Sequence, residues 1–464
     1  MVAVLPWSRE PVQSLVRDPK DLGVLLRART PDFESFLVFP WRPRRTGVTW
    51  EVRIVRRMKN RVAGLDVHRD TVVGCVEVFD GTEVSVSKDR FATTAKGVRA
   101  LAEWLANAEV ELVVMESTGV YWKPIFYGLE NLFDEVWLVN AQHVKNVPGR
   151  KTDMSDAEWL ADVAAHGMVR ASMVPEPEIR ALRELTRYRK TQIVARGTEI
   201  QRLDKLLQDA GIKLTSVASK VWSKSSRAMI EMLLAGQADP EVLAELAKGR
   251  MRSKIPALRE ALEGRWAHHH NVVAQAIIGH IDFLDATIEE LTDEIVEATR
   301  PFDPLVELWS TIPGVSTLTA QTMLAEIGAD MGRFTDDKAL AAWAGLAPAS
   351  YESAGKRRPA GTRQGDRHLR KALVEAARAA ARTKGTFLSE RYKRISRRRT
   401  ANIAAVAVAH SILVAAYHMA LHGEVYHELG ADYYENRKEP KAKVNRHVKE
   451  LQAAGYTVTL TPAA

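Results

Sequence analysis

The chain has 464 residues, of which 46% are hydrophobic and 27% charged, as in a globular protein of about three domains. This composition excludes global disorder, and the single cysteine, Cys75, excludes an internal disulfide and a cysteine-based zinc site. The longest apolar run, residues 401–420, is interrupted by His410, Ser411 and His418, and the N-terminus carries no secretory signal pattern. We therefore expect a cytoplasmic protein with no membrane partner.

The basic residues are concentrated in one part of the chain. Lys and Arg number 66 against 58 Asp and Glu, a net charge of +8, and residues 350–400 alone hold 16 basic and 4 acidic side chains. A basic block attached to a slightly acidic body indicates a polyanionic partner at one surface. Aromatic residues among the basic helices at 367–399 are sparse (Phe387 and Tyr392), which argues against single-strand binding by base stacking.

A regular pattern begins only near Met58. Residues 1–57 carry no clear period and are interpreted as an N-terminal extension, with Met58 as an alternative start that N-terminal sequencing would test. Over residues 58–170, three strands in an antiparallel meander precede alternating strands and helices, which predicts a mixed α/β sheet covered by helices. The predicted strands are 62–67, 71–79, 82–91, 111–115 and 136–139, and the predicted helices are 94–108, 121–133 and 155–166.

The rest of the chain is predicted to be mainly helical. Residues 177–300 contain long charged helices, and we expect this region to act as a coiled coil for spacing and dimerisation. Residues 304–425 predict a second compact region, and residues 426–464 a polar, peripheral tail. The apolar seam behind the coiled-coil prediction, either antiparallel or intermolecular, consists of Ile277, Ile278, Ile281, Leu284, Ile288, Leu291 and Ile295.

Four acidic residues lie where metal-dependent chemistry would need them. Asp66 interrupts the apolar first strand, and Glu116 ends the apolar strand 112–115. Asp153 and Asp156 are three residues apart at a helix start, on nearly the same helical face. Singly, such residues are explained as turn acids or helix caps, but clustered carboxylates are stable mainly around a hard divalent cation such as Mg²⁺. Two such ions, about 3.5–4 Å apart, support phosphodiester chemistry.

Three segments around these acids carry a family resemblance. Gly-Leu-Asp-Val-His (64–68), Met-Glu-Ser-Thr-Gly-Val-Tyr-Trp (115–122) and Lys-Thr-Asp-Met-Ser-Asp-Ala (151–157) resemble the DEDD insertion-sequence transposases. The resemblance covers about residues 60–425. It implies an α/β ribonuclease-H-like, RuvC-type N-terminal domain, a helical coiled-coil middle and a mainly α C-terminal transposase domain with a serine nucleophile.

The same resemblance implies the roles of residues and the partners. Asp66, Glu116, Asp153 and Asp156 would form the catalytic DEDD tetrad and bind the metal, with a two-metal Mg²⁺ site expected and Mn²⁺ as a substitute. The substrates would be the DNA of the element ends and of the target. Known members are directed by a structured bridge RNA, so a guide RNA is an expected partner. The seam of the middle region adds the expectation of a homo-oligomer, either a dimer or a tetramer.

A second motif of that family occurs in the basic region. Residues 341–348 and 351–358 resemble it and carry over Ser353 as the nucleophile, although Ser-Ala-Gly stands where the family usually shows Ser-Gly, so Ser350 is the alternative. A serine oxygen needs a base or a metal for activation, and we expect the carboxylate cluster to assist. Lys356, Arg357 and Arg358 would stabilise charge on the transferring phosphate.

Further residues are candidates for nucleic-acid binding. Residues 312–316 resemble half of a helix–hairpin–helix, in which Gly314 would offer backbone N–H groups to a phosphate, with a plain helical turn as the alternative. Residues 365–370 predict a helix start that binds phosphate, with His368 as an alternative base. The histidines at 268–270 point in different directions on a helix and are not predicted to bind metal. The predicted interface comprises Gly314, Lys356, Arg357, Arg358, Arg363, Arg367, Arg370 and Lys371.

These features predict a DNA transposase that cuts and rejoins insertion-sequence ends and target DNA through a metal-assisted serine, guided by an element-encoded RNA. The alternative is a RuvC-like metal-dependent nuclease or junction resolvase with water as the nucleophile, which retained cleavage after Ser353→Ala would favour. An actin-like ATPase needs a second phosphate-binding hairpin and a Gly-rich adenosine loop, which the sequence lacks. A non-catalytic DNA-binding relic is disfavoured by the intact acids and serine.

Overall fold

The structure, a computed structural model, divides into two compact units, Met1–Val174 and Pro175–Ala464. Each unit is described below by itself. The described residues are 36–37, 55–117, 119–145, 147, 155–349, 352–353, 356–357, 361–436 and 440–460.

The first unit is built on a five-stranded mixed sheet. The strands lie in the order β3-β2-β1-β4-β5, with β1, β2 and β3 antiparallel and with β4 and β5 parallel to β1. This order and these directions confirm the predicted ribonuclease-H-like fold. The strands are β1 (Arg61–Val67), β2 (Thr71–Phe79), β3 (Val84–Ala92), β4 (Leu112–Glu116) and β5 (Glu135–Val139). The helices are α1 (Ala95–Asn107), α2 (Trp122–Leu129), α3 (Ala141–Lys145) and α4 (Asp156–Ala165).

Both faces of this sheet are buried at its centre, because successive residues of β1 and β4 point to opposite faces. Ala63, Leu65 and Met115 pack with α1 and α2 on one face. Val62 and Val114 pack on the other face with α4, which contributes Trp159 and Leu160. Cys75 is buried in β2. The face covered by α4 is the one that carries the candidate carboxylates.

The second unit begins with two long helices, α5 (Pro177–Asp209) and α10 (His268–Thr299), that pack against each other. They run antiparallel, because Arg189 donates to Thr292 at 2.6 Å near one end while Asp209 contacts His270 at 3.3 Å near the other. The predicted seam takes part in this contact, and Ile278, Ile281, Leu284 and Ile295 are buried. The seam therefore packs within one chain.

Shorter helices complete this unit. Between the long helices lie α6 (Leu214–Val217), α7 (Lys224–Leu234), α8 (Pro240–Ala244) and α9 (Ile255–Leu262). After them come α11 (Asp303–Ser310), α12 (Thr317–Ile327), α13 (Asp337–Trp343), α14 (Arg367–Ala380), α15 (Phe387–Ser396), α16 (Ala401–His422), α17 (Tyr433–Asn436) and α18 (Pro440–Ala453). Two short strands, β6 (Glu352–Ser353) and β7 (Lys356–Arg357), precede α14.

Helix α16 is the central helix of the C-terminal region. Its length and its mean hydropathy of 1.7 also satisfy the criteria for a membrane span, but half of that apolar window is buried inside the protein. It packs against α14, α15, α13 and α11. The Trp309 indole of α11, fully buried, donates to the Ala416 carbonyl at 2.9 Å. These contacts are those of a core helix.

Candidate active site and nucleic-acid interface

Asp66 and Glu116 lie side by side at the same end of the sheet. Strands β1 and β4 are parallel neighbours, and the last register pair is Leu65 with Met115. Asp66 and Glu116 are the next residue of each strand, so both point to the face opposite Leu65 and Met115, which is the face that α4 covers. The register thus brings two of the predicted tetrad residues to adjacent positions.

Helix α4 brings Asp156 to the same end of the sheet. Its last residue, Ala165, accepts the Met58 N–H at 2.7 Å before β1 begins, while its second residue, Ala157, lies over Gly64. Helix and strand therefore run in opposite directions. A Cβ on Gly64 would come within 2.0 Å of the Ala157 carbonyl oxygen, so only glycine permits this approach. Asp156 begins the helix at the end where Asp66 lies.

The surroundings of these three carboxylates include an imidazole and a helix N-terminus. Asp66 is 29% exposed and lies 3.2 Å from the His68 imidazole, and Asp156 is exposed. Ser155 caps α4 by accepting the Glu158 N–H at 3.3 Å, and the positive end of the helix dipole faces the acids. The donor set is all carboxylate oxygen, which fits a hard divalent ion. Asp153, the fourth predicted ligand, lies outside the described residues.

At the opposite end of α4, a second charged cluster is paired and buried. Arg57 donates to Glu77 at 2.8 Å, with both side chains at most 5% exposed. Burial, and then the charge of Asp162, raise the pKa of Glu77 to about 7 despite Arg57. Burial opposes the charge of His166, but its bonds to Asp162 raise its pKa overall. Arg57, the residue before Met58, is thus packed against β2. We interpret this cluster as structural.

The predicted nucleophile lies in a short hairpin of the second unit. Strands β6 and β7 are antiparallel, and Ser353 is the register partner of Lys356 while Glu352 pairs with Arg357. The Ala349 N–H donates to the Gly361 carbonyl at 2.9 Å, and Pro348 forms a β-bridge with Thr362. These contacts join the two chain ends that lead into and out of the hairpin segment. The backbone thus brings Ser353 opposite a predicted phosphate-binding lysine. Ser350 and Arg358 lie outside the described residues.

Helix α14 presents a basic face to solvent. Its buried side is formed by Leu369, Leu373 and small alanines, and Arg367, Lys371 and Arg378 are exposed on the other side. Arg363 is exposed just before the helix, whereas the Arg370 guanidinium donates to the Gly345 carbonyl at 3.1 Å. The exposed cations form a stripe that suits phosphate contacts.

The start of α14 differs from the sequence prediction. Asp366 accepts the backbone N–H groups of His368 and Leu369 at 2.9 and 2.8 Å, so the helix start is capped by the protein's own carboxylate instead of binding phosphate. Burial, and then Arg187, lower the pKa of His368. Phosphate contacts by α14 must therefore come from its side chains.

Gly314 is held against α14. Its φ is +88°, and an added Cβ would lie 2.5 Å from both the Ala376 carbonyl oxygen and the Ala380 nitrogen. The following helix, α12, is capped by Ser316, which accepts the Thr319 N–H at 3.3 Å. Close packing of two helices thus explains the glycine, as the plain-turn alternative anticipated.

The described residues contain one group with three ligand atoms within 4.8 Å of one another: Asp209, His269 and His270. His270 Nδ1 accepts the Ala267 N–H at 3.0 Å, so in a neutral ring Nε2 carries the proton and faces Asp209 at 3.3 Å. With Nδ1 used as an acceptor and Nε2 protonated, this ring has no lone pair left for a metal. The three side chains therefore stabilise the N-terminal end of α10.

Two family models match the chain. Residues 63–212 match a DEDD transposase model of the IS110 type, and residues 306–393 match a model of the transposase IS116/IS110/IS902 family. Together they cover about half of the chain, including Asp66, Glu116 and Ser353. The chain belongs to the IS110 family of DEDD transposases.

Individual relatives of this IS110-family protein have low sequence identity to it but match over most of their own length. The "Probable family 20 transposase" of Pseudomonas aeruginosa is 27% identical over 305 residues, 64% of this chain and 80% of that protein. The transposase for insertion sequence element IS1111A of Coxiella burnetii is 26% identical over 365 residues, 76% of this chain and 88% of that protein. Among solved structures, Thermus thermophilus RuvC matches 24% of this chain and 99% of its own at 13% identity, with a TM-score of 0.20.

A buried ion network that no sequence pattern predicted joins three helices of this IS110-family chain. Glu326, fully buried on α12, accepts two hydrogen bonds from Arg187 of α5, at 2.8 and 2.6 Å. Arg187 also donates to Asp366 at 3.1 Å, and Arg183 donates to the Ala325 carbonyl at 2.9 Å. Burial raises the pKa of Glu326 although Arg187 opposes it. The network holds the capped start of α14 against α5. In the sequence, only the order Asp-Arg-His at 366–368 indicated that Asp366 could cap α14.

Proposed function

We propose that this IS110-family protein is a DNA transposase that cuts and rejoins element ends and target DNA. The observation that carries the proposal is the juxtaposition of Asp66, Glu116 and Asp156 at one end of a ribonuclease-H-like sheet, in a chain of a transposase family. The relatives named as transposases support the same activity. Such a protein would work in the cytoplasm, where the DNA of a bacterial cell lies.

In this proposal the carboxylate end binds the divalent ions. Asp66, Glu116, Asp156 and Asp153 are the ligands, and Mg²⁺ would polarise a phosphodiester and lower the pKa of an attacking oxygen, with Mn²⁺ as a substitute and two ions expected. The protein's own contribution is orientation: β1 and β4 hold two carboxylates in register. The N-terminus of α4 adds the partial positive charge of the helix dipole at this end of the sheet.

We further propose Ser353 as the nucleophile. Its oxygen would attack a DNA phosphate, its proton would leave to a base, and a DNA 3′ or 5′ oxygen would depart, so that the DNA becomes joined to the protein. The antiparallel pairing of Ser353 with Lys356 supports a cation beside the reacting phosphate. We propose that the carboxylate centre assists the serine and that DNA binds Lys356, Arg357, Arg358, Arg363, Arg367, Arg370 and Lys371.

Guidance by an element-encoded RNA is proposed from the family resemblance. A protein with few sequence-reading side chains can leave specificity to base pairing and contact only phosphates. The exposed basic face of α14 supports contacts of that sequence-independent kind. Such binding would weaken steeply as salt is raised.

The experiment is a covalent-adduct assay. Purified protein, Mg²⁺, labelled element-end DNA and the flanking noncoding RNA are incubated and resolved on a denaturing gel, beside Ser353→Ala, Asp66→Asn and a matched control, Ser389→Ala. Ser389 is buried in α15 at 1% exposure and is not proposed to touch DNA. A protein-linked DNA band that needs RNA and is lost in Ser353→Ala and Asp66→Asn supports the proposal. Free cleaved ends that persist in Ser353→Ala would indicate a RuvC-like nuclease that uses water.

We also propose that the protein works as a homo-oligomer. The seam that suggested this is packed within the chain, but α10 has a second stripe of exposed residues, Val272, Ala276, Gly279 and Phe283, at alternating spacings of four and three. Phe283 is 65% exposed. Phe283→Asp should shift the protein towards monomer in sedimentation velocity, whereas Thr287→Asp, one turn on, should not. An unchanged oligomer in Phe283→Asp would remove α10 as the interface. Mixing inactive Ser353→Ala and Asp66→Asn proteins tests whether protomers share sites.

A further inference from the structure

The second unit contains a cavity of about 480 Å³ between α15, α16 and residues 424–429. Its lining is mainly apolar and includes Phe387, Val414 and Ala415. Val425 and Leu429, also in the lining, are 66% and 43% exposed, so the apolar wall reaches the protein surface. Ligand sites usually occupy about 300–1,000 Å³ and combine apolar walls with a few polar groups. The cavity is therefore large enough for one small ring system.

Arg391 places a guanidinium group in the lining of this cavity. Its Nη1 donates to the Tyr434 hydroxyl at 3.1 Å, whereas its Nε is buried and has no hydrogen-bond partner within the described part of the chain. The half-buried His410 imidazole also lines the cavity and can offer one donor and one acceptor.

The charges around the cavity discriminate between ligand classes. Asp337 and Glu424 line it together with Arg391, His410, His418, His422 and His427, so a free phosphate inside would meet two carboxylates as well as these basic groups. A neutral planar ring with carbonyl and amino groups meets apolar walls and both kinds of hydrogen-bonding group. The exposed cations Lys393, Arg394 and those at 397–399 lie on α15 and just after it, where they can hold the phosphates of the same strand.

Aromatic rings of the C-terminal tail lie beside α15, although the tail and this helix are far apart in the sequence. Tyr433 and Tyr434 lie 4.9 and 5.5 Å from Phe387 between ring centroids, and Arg394 lies over the Tyr434 ring at 4.5 Å. Tyr426 lines the cavity itself. Aromatic faces beside arginine are what stacking proteins use for unpaired bases.

We propose that this cavity binds one unpaired nucleobase of a nucleic-acid strand whose phosphates contact α15. The inference rests on the proposed function, because it assumes that the protein acts on nucleic acid. The shared chemistry is a heterocyclic base with a sugar-phosphate backbone, from DNA or from RNA.

The test compares one unpaired base with its absence. Full-length protein is titrated with a DNA duplex carrying a single bulged adenine and with the same duplex carrying a bulged abasic site, and RNA duplexes of the same design form the second arm. The bulged base should bind about tenfold tighter than the abasic site in at least one arm, the scale of one stacked base. The arm that shows the difference identifies the strand.

Filling the cavity should abolish this preference. Ala415→Trp puts a ring into the cavity from α16, and Ala407→Trp puts the same ring on α16 at a residue outside the lining. We expect Ala415→Trp to bind both duplexes equally and Ala407→Trp to keep the tenfold difference. Circular dichroism checks that both variants fold. As a measurement free of mutation, 5-iodouracil at the bulge should photocrosslink to residues 387–391 or 410–429.

The outcomes separate the two levels of the proposal. Equal affinity of wild-type protein for base and abasic duplexes in both arms, or crosslinks mapping elsewhere, would overturn the base site while leaving nucleic-acid binding intact. No binding of any duplex at low salt would overturn the proposed function itself. Preference retained in Ala415→Trp would also contradict the inference.

Discussion

Charged side chains are arranged in opposite ways at the two ends of helix α4. At the N-terminal end, Asp66, Glu116 and Asp156 carry like charges near solvent. At the C-terminal end, Arg57 and Glu77 form a buried pair of opposite charges. Like charges gathered at one place reduce stability unless a cation joins them, whereas a buried opposite pair is destabilising mainly when one partner is removed. The comparison separates the residues that we propose for chemistry from residues that stabilise the fold.

The largest expected effect is on activity at the carboxylate end. Asp66→Asn should slow DNA cleavage and joining by more than about 100-fold, the scale on which one electrostatic stabilising group acts. Because the substitution removes one of several like charges, the free energy of unfolding should not fall. Asp70→Asn, at the exposed turn that follows β1, is the matched control and should retain activity. Gel assays and urea denaturation measure the two quantities, and a stable, active Asp66→Asn would refute the metal site.

The next effect is on stability at the opposite end. Arg57→Ala leaves Glu77 buried without its cation and should reduce the free energy of unfolding by about 3 kcal/mol. Arg57→Lys keeps a charge and should lose less. Chemical denaturation of both variants gives the values. A loss below about 1 kcal/mol in Arg57→Ala would contradict a structural role for this pair.

The pH dependence of stability sharpens the same contrast. Glu77 has a pKa raised to about 7 against an ordinary value of 4.5, so the folded state holds a proton that the unfolded state releases earlier. Its contribution is complete below pH 4.5 and is lost as the pH rises through about 7. Glu77→Gln should therefore lose less stability than wild type between about pH 5 and pH 8. His166, whose pKa is also raised, acts in the same direction in both proteins. Equal slopes would reject the assignment.

The smallest effect is expected at an exposed ion pair in the first turn of α4. Lys88 on β3 pairs with Glu158 on α4 at 2.7 Å, with side chains 44% and 22% exposed. Solvent screens this pair, so Lys88→Ala should cost about 0.5 kcal/mol and leave activity unchanged. Lys96→Ala, at an exposed position on α1, is the control. Loss of DNA cleavage in Lys88→Ala alone would extend the functional region along the helix.

Much of the first unit could be predicted because its local patterns agree with its fold. The short apolar runs of β1 and β4 predicted their bounds within one residue, and Ser155 is a clear cap for α4. The seam of α10 was recognised, but periodicity does not tell which helix covers it, and α5 of the same chain does. We predicted a phosphate-binding helix start at α14, whereas Asp366 caps the helix. The same order of residues suits both arrangements, so the sequence could not distinguish them.

The sequence by itself determined the family, the sheet and the candidates Asp66, Glu116 and Asp156, because strand alternation and helix spacing are local properties of the chain. Tertiary structure alone decided that Asp66 and Glu116 are in register and that α4 packs closely over Gly64. It also decided that Arg57 and Glu77 form a buried pair. It also decided that tail tyrosines contact α15. These are contacts between residues far apart in sequence, and they depend on packing, which no local pattern encodes.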